Sequence, residues 1–281
     1  MATVSRSDSS GGGGRATGGR YTATTTGYTA VLDKRVLRIT LTNPKRKNAI
    51  DYATMLGLGD TIRAASADPA VRVIVLTGEG GDFCTGADLS VSGDSIDEDT
   101  ADQTMVAANA MVKSIVDAPI PVIARVRGAA AGIGVALALA ADLTYASEEA
   151  YLLLAFINIG IMPDGGAAAM VAAAAGRPLA AEMALLGNRL PVTEAVKHAL
   201  IAGVYPEAEL DAKVEAAVDK IAHGPRRALE LTKRALNTAT LTPLDAVLAA
   251  ERKGQVELLQ QPDFAEGVAA MLGKRKAVFG E

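Results

Sequence analysis

The sequence predicts an α/β fold with a mostly parallel sheet, followed by a helical C-terminal part. Three observations predict it. Apolar runs of strand length, Val71–Thr77 above all, alternate with stretches of helical spacing as far as Tyr205. Two glycine-rich turns, at 78–86 and 128–134, each follow such a run. Beyond Tyr205 the strand-like runs cease and four capped helical segments follow.

Taken in order, Thr29–Leu32 and Val36–Leu41 read as a hairpin across Asp33, Lys34 and Arg35, and Asn43-Pro44 ends the second strand. A basic cluster follows, Lys45, Arg46 and Lys47. From about Asp51, the spacing of Met55, Leu58, Ile62 and Ala65 predicts a helix that Asp68-Pro69 terminates. Val71–Thr77 is almost continuously apolar, as a strand buried on both faces should be. Ser90–Asp102 is acidic and polar and reads as a solvated surface loop. Thr104–Val116 reads as a helix with Met105, Ala108, Met111 and Ile115 inward.

A strand over 121–126 then turns through Gly128, Gly132 and Gly134 into an Ala/Leu helix. Leu143–Ala146 and Tyr151–Ala155 read as short strands, and 160–166 as a turn into the helix Ala167–Ala175. Leu210–His223 and Pro225–Asn237 are the next helices. Thr242, with Asp245 three residues on, reads as a capping-box start for a third, and Pro262-Asp263 opens a fourth.

Composition bounds the chemistry. The 281 residues are 49% hydrophobic and 21% charged, enough for one sizeable core. A net charge of −4 argues against a nucleic-acid footprint, which needs a basic face. The longest apolar runs, Gly132–Ala141 and Gly165–Ala175, are too short and too rich in small residues to span a bilayer. A single cysteine, Cys84, excludes an intramolecular disulfide and a Cys-rich metal site, and fits a reducing, cytoplasmic compartment. With only two histidines, His198 and His223, chemistry resting on a histidine base or a His-cluster metal site is not expected. Met1–Arg20 is rich in Ser, Gly and Thr, lacks the apolar core of a signal peptide, and is expected to be a disordered tail.

The turn through Gly128, Gly132 and Gly134 brings backbone close to a neighbour, and a helix that starts there leaves N–H groups unpaired. It suits an oxyanion or a phosphate, or simply a tight strand-to-helix turn. No Walker A pattern, no dinucleotide Gly-x-Gly-x-x-Gly after a first strand and no Gly-x-Ser-x-Gly elbow is present. Cys84, in an apolar setting, reads as a small buried hydrophobe.

Phe83–Leu89 and 128–134, with Leu41–Ala49, Gly160–Pro163 and Leu185–Ala195 in that order and spacing, make the chain from about Tyr28 to Phe279 resemble the crotonase superfamily, the enoyl-CoA hydratase/isomerase family. The resemblance implies a crotonase-like spiral ββα core over 21–206. It also implies a C-terminal helical subdomain over 207–281 that joins subunits into trimers, or hexamers as dimers of trimers. It implies an acyl-CoA substrate, whose coenzyme A is carried by the substrate, with no further cofactor and no metal. The thioester oxygen would be bound by the backbone N–H groups of Ala87 and Ile133. Lys45, Arg46 and Lys47, with Ala87, Asp88 and Leu89, would lie along the coenzyme A, and Lys276 or Phe279 near its nucleotide end. From the residues alone, the three basic side chains read equally well as a solvated turn.

The chain departs from the family's hydratases at two positions. The two glutamates that add water fall here on Ala136 and Phe156, which can neither hold nor transfer a proton. One acid remains well placed, Asp164 after Pro163, as in isomerase-type members acting on epoxyphenylacetyl-CoA and dienoyl-CoA. Asp164 also reads as the N-cap of the helix that follows. The expected activity is enoyl-CoA isomerisation with Asp164 as acid and base. The alternatives are a hydratase with a different residue set and an acyl-CoA binder with weak activity. Asp88 and Asp142 read as structural, and Asn158 as a polar group near the pocket or a strand-end residue.

Overall fold

The computed structural model describes residues 27–89 and 97–280; the tail at 1–20 and most of the acidic segment fall outside them. The main sheet has six strands. β1 (Tyr28–Asp33) and β2 (Val36–Leu41) form an antiparallel hairpin. β2 then runs parallel to β3 (Val73–Gly78), and the sheet continues in parallel through β4 (Val122–Val126), β6 (Leu143–Ser147) and β9 (Gly203–Tyr205). A second, three-stranded sheet joins β5 (Ala129–Ala131), β7 (Tyr151–Leu153) and β8 (Leu190–Pro191).

The continuous apolar run of β3 is explained by its two covered faces. Ile74 and Leu76 join a large cluster with Met55, Leu58 and Ile62 of α1 (Tyr52–Ala67) and Met111 of α2 (Glu98–Val116). Val73 and Val75 face the other way, onto Leu210, Val214 and Val218 of α7 (Glu207–Ala222). Each such side chain, fully withdrawn from water, stabilises the fold by roughly 1.5–3 kcal/mol before entropy is counted. Asp51 starts α1 by accepting a hydrogen bond from the Thr54 N–H at 2.8 Å.

The acidic segment is partly helix. Asp97 caps α2, accepting from the Thr100 N–H at 2.9 Å, and Glu98 and Asp99 occupy the first turn, where negative charge complements the helix dipole. Thus 97–102 corrects the loop expectation, while 90–96 lie outside the described residues. The strand expected over Tyr151–Ala155 stops at Leu153, and Ala155–Ile159 coil into a 3-10 helix closed by left-handed Gly160.

Between this turn and β9 lie α4 (Ala167–Ala175), α5 (Arg177–Leu186) and α6 (Val192–Ala195); Pro178 in the first turn of α5 and left-handed Gly187 at its end mark the bounds of that helix. After α7 come α8 (Arg226–Thr240), α9 (Leu244–Leu258) and α10 (Pro262–Leu272). Thr242 does not cap α9. Its hydroxyl donates back to the Thr238 carbonyl, one turn earlier, and Pro243 takes the cap position.

The C-terminal helices fold back over the core. α9 lies along α2, and α10 seats on the 155–159 turn. The seating is close: a Cβ on Gly267 would stand 2.5 Å from the Ile159 Cα. Among the described residues no helix is long and apolar enough to cross a membrane.

Candidate active site

The loops after β3 and β4 meet beyond the carboxyl ends of those strands, the usual place for a site in a parallel sheet. The Ala131 N–H donates to the Cys84 carbonyl at 2.8 Å, and the Cys84 N–H to the Ala129 carbonyl at 3.0 Å. α3 (Ile133–Ala140) comes down on this junction. A Cβ on Gly134 would lie 2.3 Å from the Cys84 carbonyl oxygen, so only glycine permits the approach. Gly132 turns the chain from β5 into the helix at a φ of +54°, a conformation that other residues resist.

Two donors are left over. The Ile133 N–H is the first of α3 and has no helical acceptor. Ala87 sits in a parallel bridge with Ile50, whose two bonds go to the Gly86 carbonyl and the Asp88 N–H. That geometry turns the Ala87 N–H to the opposite side. Among the described residues neither N–H donates to a protein acceptor. The two are neighbours, since a Cβ on Gly86 would be 3.8 Å from the Ile133 nitrogen.

Asp164 is brought to the same place by its own turn. A Cβ on Gly165 would stand 3.1 Å from the Ala136 Cβ and 3.3 Å from Ile133 Cγ1, so this turn stacks on the first turns of α3. The Asp164 carboxyl does not cap α4; Gly166, which has no side chain to cap with, holds the cap position. Instead Oδ2 accepts from Gln255 Nε2 at 2.9 Å, and Oδ1 is buried with no protein partner. Burial pushes the carboxyl up to about 6, against a smaller downward pull from the Gln255 amide. Glu251, one turn before Gln255 on α9, accepts from the Gly166 N–H at 2.8 Å, and burial pushes it up to about 8.

Ala87, Ile133, Asp164 and Gln255 line one cavity of about 690 Å³, whose remaining wall is largely apolar and includes Met105, Phe156 and Phe264. Cys84, beneath it, is fully buried and its thiol is pushed up to about 12 by desolvation, as inert as its setting suggests.

A model of the family described as enoyl-CoA hydratase/isomerase matches residues 32–281. The chain belongs to this family. It is 37% identical to a probable enoyl-CoA hydratase of Rhodobacter capsulatus over 86% of this chain and 93% of that protein. It is 33% identical to the 1,2-epoxyphenylacetyl-CoA isomerase of Escherichia coli over 88% of this chain and 96% of the relative. Its fold superposes on the crystal structure of an enoyl-CoA hydratase from Mycobacterium avium subsp. paratuberculosis with a TM-score of 0.85. That match has 40% identity and covers 91% of this chain and 99% of the other. The architecture is thus crotonase-like, with a helical C-terminal region.

The residues singled out from the sequence fall into two groups in this crotonase fold. Ala87, Asp88, Leu89, Ile133 and Asp164 share the cavity wall, and so does Asn158, whose amide donates to the Gly187 carbonyl at 2.9 Å. Lys45, Arg46 and Lys47 do not line it. Lys45 and Arg46 lie in the 3-10 turn at Pro44–Arg46 and Lys47 closes it, pinned beside the 79–89 loop by the Thr85 N–H, which donates to the Lys47 carbonyl at 3.1 Å. Arg46 Nη1 is 4.0 Å from Asp88 Oδ1, and Lys47 Nζ is 3.5 Å from Asp82 Oδ2. Lys276 and Phe279 also lie off the wall; the neighbours Arg275 and Ala277 are on it, and Glu266 grips the Arg275 guanidinium. Asp142 is structural, accepting from the Val122 N–H at 2.7 Å and from buried Lys233 at 2.8 Å.

Sequence reasoning does not single out Gln255, Glu251 or Asn48. The signal for the first two is the α9 pattern Leu244, Leu248, Glu251, Gln255, in which two polar residues continue a buried apolar stripe. Asn48 is buried and donates to the Glu79 and Asp82 carbonyls at 2.9 and 2.7 Å, tying the basic turn to the first glycine-rich loop.

Proposed function

We propose that the protein shifts the double bond of an enoyl-CoA, with Asp164 as the single acid and base and the Ala87 and Ile133 N–H groups as the oxyanion donors. The observation that carries this reading is the Asp164 carboxyl itself. It is buried, has one oxygen without a partner, and stands on the same cavity wall as two unpartnered N–H groups. The positions of the two hydratase glutamates hold Ala136 and Phe156. Two other carboxyls on the wall are engaged as helix caps, Asp51 with the Thr54 N–H and Asp97 with the Thr100 N–H.

The chemistry follows from the charges. Ionised Asp164 takes a proton from C2 of a 3-enoyl thioester, and the electron pair moves onto the thioester oxygen, giving a dienolate. The two N–H donors and the N-terminus of α3 stabilise that oxygen, and losing one donor typically costs about 3 kcal/mol of barrier. The protonated carboxyl then returns its proton to C4, leaving a 2-enoyl thioester. No water is consumed and the acid ends as it began. A carboxyl raised to about 6 suits both halves of this cycle, ionised enough at neutral pH to act as base and acidic enough to return the proton.

The apolar wall supports an uncharged acyl group. The basic turn at Lys45, Arg46 and Lys47 supports contact with the coenzyme A phosphates, and the segment with Lys276 and Phe279 supports contact with its nucleotide end. Exposed Leu185, Leu186 and Leu236 support a homo-oligomer, a trimer or a dimer of trimers, which sedimentation would reveal. The test of function is incubation of the purified protein with a 3-enoyl-CoA and with a 2-enoyl-CoA. Conversion of the 3-enoyl to the 2-enoyl thioester is expected. Formation of 3-hydroxyacyl-CoA as the primary product would instead make it a hydratase, and binding without turnover would make it an acyl-CoA binder.

A further inference from the structure

We infer that Gln255, on α9, is the positioning residue that decides which oxygen of Asp164 carries the proton. The inference rests on the reading of Asp164 as the acid and base.

A carboxylate has two equivalent oxygens, and a proton shift between two carbons needs one of them to face the substrate throughout. Gln255 breaks the equivalence. Its amide donates to Oδ2 at 2.9 Å, and Oδ1 of this cavity-lining residue, buried without a protein partner, is left as the free oxygen. An amide N–H can only donate, so while Gln255 presents its Nε2 to Asp164, Oδ2 stays an acceptor and the transferred proton sits on Oδ1. The Gln255 contact is the same before and after protonation, so the base needs no rearrangement between its two tasks. A lysine or arginine in this place would hold the carboxyl ionised and weaken it as an acid. A leucine would leave Oδ2 buried and unsatisfied.

The support behind Gln255 is built for this. The residue is only 1% exposed. Glu251, one turn earlier on the same helix, accepts from the Gly166 N–H and so clamps the other end of the Asp164 turn. α9 is fastened to α2 by the Arg252–Asp102 pair, whose two nitrogen–oxygen contacts fall on both carboxylate oxygens. The C-terminal helix that closes over the cavity thus also sets the geometry of the acid.

The ionisable groups facing Asp164 are Glu251 from α9 and, around the same cavity, Asp51, Asp88, Asp97 and Arg275, the last paired with Glu266.

The test is steady-state turnover of a 3-enoyl-CoA across pH by Gln255→Met, which keeps the volume and removes the donor, with Asp164→Asn as its companion. Gln255→Met is expected to lose about 10- to 100-fold in kcat with KM changed less than about threefold. Its acidic limb should move to higher pH, because the amide's downward pull on Asp164 is gone. A merely structural residue would lower the melting temperature and leave that limb in place. Unchanged kcat and an unmoved limb in Gln255→Met, with Asp164→Asn inactive, would overturn the inference and leave the assignment of Asp164 standing. Full activity in Asp164→Asn would overturn both. Should Gln255→Met fail to fold, Gln255→Asn, which retracts the amide by one methylene, is read by the same two quantities.

Discussion

The two sides of the cavity are built by opposite means. On the proposed reading, the oxyanion side is backbone. Ala87 and Ile133 contribute N–H groups, and their side chains are incidental; what is specified is the path of the chain, through Gly132 and Gly134. On the same reading, the acid side is side chain. Asp164 contributes one oxygen, and it is specified by Gln255, a residue of a helix ninety-one positions later. One side is therefore sensitive to conformation and tolerant of side-chain identity, and the other is sensitive to side-chain identity and held by a distant support.

Three substitutions, read through four effects, probe that contrast, beginning with the largest. Asp164→Asn keeps the shape and the Gln255 contact but cannot hold the proton, and is expected to lower kcat for a 3-enoyl-CoA about 10³-fold with KM little changed. Gly134→Ala places a methyl against the Cys84 carbonyl and displaces the Ile133 donor. It should cost about 10²- to 10³-fold in kcat, with a measurable fall in melting temperature.

The third effect is on stability. The Asp164 carboxyl is raised from 3.8 to about 6 in the folded protein, so the folded state holds this proton more tightly than the unfolded one. Its stabilising contribution is full below 3.8 and is lost as pH rises through about 6. Asp164→Asn, neutral at every pH, should be more stable than the parent at pH 8 by on the order of 3 kcal/mol. The two should converge near pH 4, as denaturant melts at the two pH values would show. An inactive variant that is more stable is the signature of a buried group kept for chemistry.

The smallest effect falls on the backbone side. Ile133→Val retains the N–H and should leave kcat within about threefold while costing about 1 kcal/mol of stability. A large loss of activity here would break the contrast, because it would mean that the Ile133 side chain matters to the chemistry.

The same contrast explains what is legible in the sequence. Glycines forced by close approach leave a compact local mark, so the loops at 78–86 and 128–134 stand out from the residues alone. β3 is legible because a strand covered on both faces must be apolar at every position. The acid side is only half legible. Asp164 follows Pro163 and precedes two glycines, which is also how a helix cap looks, and only the fold shows its carboxyl turned away from α4 and toward α9.

Gln255 and Glu251 are hidden because their partners lie on a turn far away in sequence, although their place on a buried helical stripe is an available clue. The acidic stretch before α2 misleads in the opposite sense. Asp97, Glu98 and Asp99 read as a solvated loop; they are solvated, but as the cap and first turn of a helix, which attract negative charge. Lys276 stands out for its charge, whereas the cavity wall is formed by its neighbours Arg275 and Ala277.

The most direct test of a single-acid proton shift is the fate of solvent oxygen. The protein is given a 3-enoyl-CoA in water enriched in heavy oxygen, and the first product is read by mass spectrometry over the early part of the reaction. Isomerisation by Asp164 predicts a 2-enoyl-CoA of unchanged mass, formed at the full rate of substrate loss, with no heavy oxygen in the acyl chain. Heavy oxygen entering the acyl chain at that same rate, with the double bond gone, would contradict it.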